Sequence, residues 1–174
     1  MPRRDSLSLN EWAVLACLVE RDRHGYDIAS ELAPGADLGG VWRVPRPVVY
    51  RALDRLVALG LAAPCHAEPG AGGPPRQVFA PSEAGRARLG EWLVQPVDHL
   101  REVRSALLLK LTVGRRLAVD TRPLVAAQRR HFERSLAALT APPVTDDAVA
   151  LWRHHSAAAV QAFLDDLWER GAPA

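Results

Sequence analysis

The sequence has too few cysteines for a disulfide framework: Cys17 and Cys65 are the only two in 174 residues, and a pair does not make a scaffold. Cys17 lies in an apolar run and is expected to be a small buried filler. Lysine is almost missing, since 21 of the 22 basic residues are arginine and Lys110 is the exception. With so much alanine beside it, that bias reads as coding composition and not as a functional patch. Net charge is +2, too small to imply nucleic acid from the charge balance alone. No apolar run approaches the length of a membrane span. The first twelve residues carry two arginines but no apolar stretch before a cleavage site, so neither a span nor a secretion signal is expected and the cytoplasm is the expected location.

Catalytic and metal signatures are also missing. There is no G-x-S-x-G elbow, no P-loop and no G-x-G-x-x-G after a strand. His154-His155 are neighbours, and neighbours on a helix point about 100° apart. Cys65-His66 are adjacent too, with no C-x-x-C or H-x-x-x-H partner. His24, His99 and His131 are isolated. Asp146-Asp147 and Asp165-Asp166 read as helix-end or solvated charges. The expectation is a protein that is not an enzyme and has no metal and no cofactor.

What the chain does have is centred on residues 41–61, VWRVPRPVVYRALDRLVALGL. Val49, Leu53, Leu56, Val57 and Leu59 recur at three- and four-residue intervals and predict one helix with an apolar stripe. Pro47 suits the first turn, and Gly60 suits the C′ position, where a left-handed residue stops a helix and lets Leu61 fold back. Off the stripe stand Arg46, Tyr50, Arg51 and Arg55, opposed only by Asp54, with Arg43 just upstream. A short helix with a basic, aromatic outer face suits reading DNA, because arginine forks onto guanine edges or phosphates. The same pattern also describes an ordinary amphipathic helix with a solvated charged face.

Ser8 followed by Glu11 has the form of a capping box and predicts a helix to about Glu20 that buries Trp12, Leu15, Ala16 and Val19. RDRHG reads as a polar turn. Residues 26–33 predict a second helix with Tyr26, Ile28, Ala29 and Leu32 available to the core, followed by a glycine-bearing loop to Gly40. Residues 61–68 and 76–80 read as strands around the tip PGAGGPP, with Pro64 holding the first at an edge. Helices followed by such a hairpin describe a winged helix-turn-helix, and Arg76 at the base of the tip is expected to meet a backbone phosphate. Ser82 is the expected N-cap of a further helix that ends at Gln95-Pro96.

From Val97 onward the pattern is helical: about 98–117, 121–140 and 146–169, with Thr121 and Thr145 as N-caps. These helices bury too little alone for a comfortable independent domain, so they are expected to complete their core in a homodimer. The fold expected is mainly α with a small β-hairpin: a winged helix-turn-helix domain over 1–95 and an α-helical dimerisation domain over 96–174. Trp152, His155, Phe163 and Trp168 in the last helix are candidates to line an effector pocket. The spacing of Trp152, Val160, Phe163, Leu164 and Leu167 fits a dimer seam better. Trp12 and Trp92 are expected in the core.

In order and spacing, VLACLVERDRHGYDIASEL (14–32), VWRVPRPVVYRALDRLVALGLAA (41–63) and GGPPRQVFAPSEAGRARLGEWL (72–93) resemble the PadR family of bacterial transcriptional regulators. SALLLKLTVG (105–114) looks like the helical region of its virulence-activator branch. The resemblance implies a DNA-binding regulator, a repressor in the first instance. It would bind an inverted repeat in double-stranded DNA as a homodimer through its C-terminal helices and be released by a small aromatic effector. The DNA-binding residues would be Arg43, Arg46, Tyr50, Arg51, Arg55 and Arg76. Pro45, Pro47 and Val48 stand where many relatives have small polar residues, which shifts the reading onto Arg43, Arg46 and Arg51. The alternative is a winged-helix dimer that serves as a protein-interaction or small-molecule-binding module without specific DNA binding.

Overall fold

The computed structural model describes residues 6–69, 75–141 and 147–171. The chain forms two compact units, Met1–Trp92 and Leu93–Ala174. In the first, α1 (Leu9–Glu20) starts where Ser8 and Glu11 predict. The Ser8 hydroxyl accepts from the Glu11 N–H and the Glu11 carboxylate accepts from the Ser8 N–H, which satisfies two orphan donors at once. Residues 11–18 are all buried, so this helix is the centre of the unit and not a surface helix. Trp12 stacks on Trp92 with centroids 4.8 Å apart and planes 11° from parallel.

The expected turn at Arg23-His24 is instead a short strand, β1 (Arg23–His24). It pairs antiparallel with β3 (Arg76–Pro81), which pairs with β2 (Ala62–Glu68) on its other side, in the order β1-β3-β2. Arg23 is buried, and this is tolerable because its guanidinium lies between Glu20 and Glu31. Pro64 sits on the edge strand, as a residue without an N–H must. The register slips between Pro64 and His66. The tip residues 70–74 lie outside the described residues.

Helix α2 (Gly25–Glu31) buries Ile28, and Leu32 at its C-cap is also buried. Tyr26, expected in the core, is 47% exposed. A further turn of helix, α3 (Asp37–Val41), occupies the expected loop. The central helix is α4 (Arg46–Ala58), with Val49, Ala52, Leu53 and Leu56 buried. Its start is fixed from three sides: the Trp42 indole N–H donates to Asn10 (2.9 Å), the Val44 N–H donates to the Leu32 carbonyl (3.1 Å), and Val44 and Val49 occupy the two buried positions of a hydrophobic staple. Its end is a Schellman motif. Leu61 N–H bonds to Leu56 O and Gly60 N–H to Val57 O, both at 2.9 Å, with Gly60 at φ +69°. Ser82 then ties the sheet to this corner, its hydroxyl donating to Gly60 O (2.6 Å) and accepting from Gly85 N–H at the start of α5 (Glu83–Val94).

The second unit contains α6 (Leu108–Arg116), α7 (Arg122–Thr140) and α8 (Ala148–Glu169). The regular helix expected from 98 does not form. Leu100–Glu102 is a 3-10 turn and Val103–Leu107 a π-helical turn. The buried residues Val103, Leu107 and Leu111 are spaced by four. Such spacing drifts about 40° per step around an α-helix, and a wider turn absorbs the drift. The core joins these residues to Leu124, Val125, Phe132 and Leu136 of α7 and Ala157 and Leu164 of α8. Gln128, fully buried, accepts from the Val97 N–H and donates to the Val97 carbonyl. Thr121 stands at the N-cap of α7, but its side chain makes no cap bond; the Asp120 carboxylate accepts the Arg122 N–H instead. Asp147 caps α8 by accepting from Ala150 N–H; Thr145 lies outside the described residues. Among the described residues no helix is long and apolar enough to cross a membrane.

Candidate nucleic-acid interface

The buried stripe of α4 orients the rest of the helix outward. Arg46, Arg51 and Arg55 are exposed, Tyr50 is 41% exposed, and Arg43 is exposed just ahead of the helix. These residues form two clusters, because five positions along a helix turn the chain about 140°. Arg46 and Tyr50 face the wing. Arg51 and Arg55 face α1, in a shallow depression shared with Ser8, Asn10 and Glu11.

Arg55 differs from its neighbours. Its Nε lies 3.0 Å from a Glu11 carboxylate oxygen, so the acid that opposes it is on α1 and not the Asp54 beside it. Glu11 thus serves both the capping box and this ion pair. Arg43, Arg46, Arg51 and Arg76 have no acidic partner among the described residues, so their charges remain available to a polyanion.

On the wing side Arg46, Tyr50 and Arg76 line one cleft of about 540 Å³ together with His24, Gly25, Tyr26, Pro75, Gln77 and Phe79. The Arg46 and Arg76 guanidinium carbons lie 5.1 and 5.2 Å from the centre of the same ring, Tyr26, and Arg46 lies 5.9 Å from the Tyr50 ring. These are cation–π distances. Gly25 makes the packing possible, since a β-carbon there would sit 2.7 Å from the Tyr50 ring. His24 caps α2, its Nδ1 accepting from the Asp27 N–H at 3.1 Å. Sequence reasoning missed His24 and Tyr26. The signal was the run His-Gly-Tyr, which supplies a cap, a close approach and an aromatic platform in consecutive positions.

The candidate effector residues do not converge within the chain. Trp152 is 73% and Trp168 49% exposed. Sixteen residues of helix separate them by about 24 Å along the axis and about 160° around it. His155 is exposed. Phe163, with Val160 and Leu167, packs against the unit's own core, where Leu164 is buried. Much of the expected seam is therefore used in the core of the unit itself. A cleft of about 450 Å³ runs between α7 and α8, lined by Arg129, Arg130, Glu133, Leu136, Gln161 and Asp165 among others, and by none of the four candidates. Arg129 pairs with Asp165 (2.8 Å) and lies over the Trp168 ring (5.4 Å).

Helices α1, α2 and α4 closed by a small antiparallel sheet, with the basic α4 beside the sheet's hairpin, define a winged helix-turn-helix protein. Residues 14–91, within the amino-terminal unit, match the model of the transcriptional regulator PadR-like family. No curated protein gives a significant sequence match. Among solved structures the chain is similar to Bacillus subtilis PadR in complex with operator DNA, at 18% identity and a TM-score of 0.49, over 94% of this chain and 99% of that one. It is also similar to smu.1604c from Streptococcus mutans UA159 (18% identity, TM-score 0.45, 90% and 96% covered). A third is the Vibrio cholerae virulence activator AphA (26% identity, TM-score 0.42, 94% and 97% covered).

Proposed function

We propose that the chain is a DNA-binding transcriptional regulator that acts in the cytoplasm as a homodimeric repressor on an inverted repeat. The observation that carries the reading is the outward side of α4 and its flanks: Arg43, Arg46, Arg51 and Arg76, none held by an acid among the described residues, on a unit that matches a regulator family's model. Arginines so placed bind phosphates and read guanine edges. Arg55 contributes less, being held by Glu11.

The dimer reading rests on α8. This helix of 22 residues buries only Ala157 and Leu164 and leaves Val149, Leu151, Trp152 and Trp168 exposed. A second copy of the chain is the partner that covers such a face, and it places two α4 helices in successive major grooves, about 10 bp or a multiple apart. A pocket for a small aromatic effector that uses Trp152 and Trp168 would have to be completed by that second copy.

The test is genome-wide DNA capture with purified protein at near-physiological salt, run beside Arg51→Glu. The expected result is enrichment of one inverted repeat, lost in the variant. Equal, unspecific recovery by both proteins would reject sequence-specific binding and favour an interaction module.

A further inference from the structure

The cleft between α2, α4 and the base of the wing gathers donors for which the described residues offer no acceptor. The Nδ1 of His24 accepts the Asp27 N–H, so in the neutral ring the proton is on Nε2. That Nε2 lies 3.4 Å from Nη1 of Arg76. An arginine nitrogen is also a donor, in every protonation state it adopts in a protein. The two are within hydrogen-bonding distance and cannot bond each other; an oxygen with two lone pairs can accept from both. Arg46 closes the same space from α4, held by the ring that also holds Arg76. Among the described residues no acidic side chain lines the cleft. Fixed by one aromatic platform, the two guanidiniums do not have to be ordered when the anion arrives, which removes part of the entropy cost of binding.

We propose that this cleft is a single phosphate site, in which Arg46 and Arg76, positioned on Tyr26, and the Nε2–H of His24 take one oxyanion. In the complex with DNA that oxyanion is one backbone phosphate, an assignment that rests on the DNA-binding reading above. The site makes His24 a phosphate-contacting residue and Tyr26 a positioning residue. It fixes the register of α4 against the duplex without reading a base. The His-Gly-Tyr run is then a phosphate-binding element built jointly with the wing.

The probe is a fluorescent duplex of random sequence about 30 base pairs long, because non-specific affinity is carried by phosphate contacts and its logarithm falls by ~0.9 per neutralised phosphate for each logarithmic unit of salt. Sharing has a numerical signature. Arg46→Gln/Arg76→Gln is expected to lower the salt slope by about 0.9 per bound chain, the value of one phosphate, and so by about 1.8 for a homodimer with both clefts on the duplex. A fall of about 1.8 per chain, with the number of bound chains read from sedimentation of the complex, would mean two separate phosphates, and no fall would mean none; either result overturns the shared site. His24→Asn keeps a good capping oxygen but loses the donor at the far side of the ring. It is expected to weaken binding roughly 2- to 10-fold with the slope unchanged. An unaltered affinity removes His24 from the site. Tyr26→Ala is expected to weaken binding toward the double arginine variant, with recovery in Tyr26→Phe, which retains a ring for the guanidiniums. Equal binding by the two Tyr26 variants overturns the platform. Urea unfolding of each variant separates these effects from a lost fold.

A second arm separates the two readings. Isotope-labelled protein is titrated with inorganic phosphate against sodium chloride of equal ionic strength, and the side-chain resonances of His24, Arg46 and Arg76 are followed. Movement with phosphate alone supports the site without reference to DNA. If the wild type fails to retain duplex at low salt while these resonances move, the DNA-binding reading falls and a phosphorylated small molecule becomes the source. If duplex binds but neither slope nor resonances respond, the phosphate site falls and DNA binding stands.

Discussion

Helices α4 and α8 are both amphipathic, but they expose opposite kinds of surface. Within 13 residues α4 buries Val49, Ala52, Leu53 and Leu56, closes in a Schellman motif, and turns arginines outward. Water solvates that outer face, so the unit is complete by itself and its charge is available for work. In 22 residues α8 buries two side chains and turns Val149, Leu151, Trp152 and Trp168 outward. Water does not favour that face, and at ~25 cal/mol per Å² it represents binding energy in reserve. On the function proposed above, one helix meets a polyanion and the other an apolar surface. A variant on either should disturb only its own partner.

The largest effect that would break this contrast is expected on α4. Arg43→Glu/Arg51→Glu replaces two charge-assisted contacts of about 1.5–3 kcal/mol each, which corresponds to ~10²- to 10⁴-fold weaker duplex binding. Fluorescence anisotropy reads the affinity, and sedimentation should show an unchanged assembly state. The comparison fails if the double variant binds DNA normally, or if it loses both properties together.

The smaller difference on α8 is its mirror image. A tryptophan buries about 150–250 Å² when covered, so Trp152→Glu should weaken self-association by about 2–4 kcal/mol, or roughly 30-fold and upward. Sedimentation velocity across a concentration series detects this as dissociation to protomers. DNA affinity at the single-protomer level should remain. A variant that sediments as the wild type does would show that α8 is not the contact between copies.

The same contrast explains what the sequence could and could not show. Local signals were legible: the Ser8–Glu11 capping box, the stripe of α4 and its Gly60 stop need only neighbouring residues, and they appear as read. Signals completed from elsewhere were not. Arg23-His24 reads as a polar turn until β3, far along the chain, pairs with it. Tyr26 reads as a core residue until Arg46 and Arg76 arrive on its ring from two other elements. Arg55 looks free until Glu11 of α1 packs beside it. On α8, periodicity alone could not divide the apolar residues between the unit's own core and an outward face, since both demands produce the same spacing. Leu164 and Phe163 went to the core, and Trp152 was left outside.

The units also differ in how they treat a buried charge, and this gives the smallest of the expected effects. In the first unit Arg23 is buried between two carboxylates. In the second, Lys110 is 3% exposed and its ammonium donates to the Gln95 carbonyl (2.6 Å). Burial pushes its pKa down from 10.5 to about 8, against the opposing pull of Asp98 and Glu102. Because the folded value is below the unfolded one, the unfolded chain holds more protons between about 8 and 10.5. By linkage, stability at this site rises with pH across that window, and the penalty is fully present below it. The expected gain from pH 7.5 to pH 10, relative to Lys110→Met, is about 2 kcal/mol once solvent screening of the carboxylates is allowed for. Urea unfolding of both proteins at the two pH values measures it. Parallel pH dependences would mean that Lys110 is neutralised by its acids as fully as Arg23 is, and that the two units handle buried cations alike.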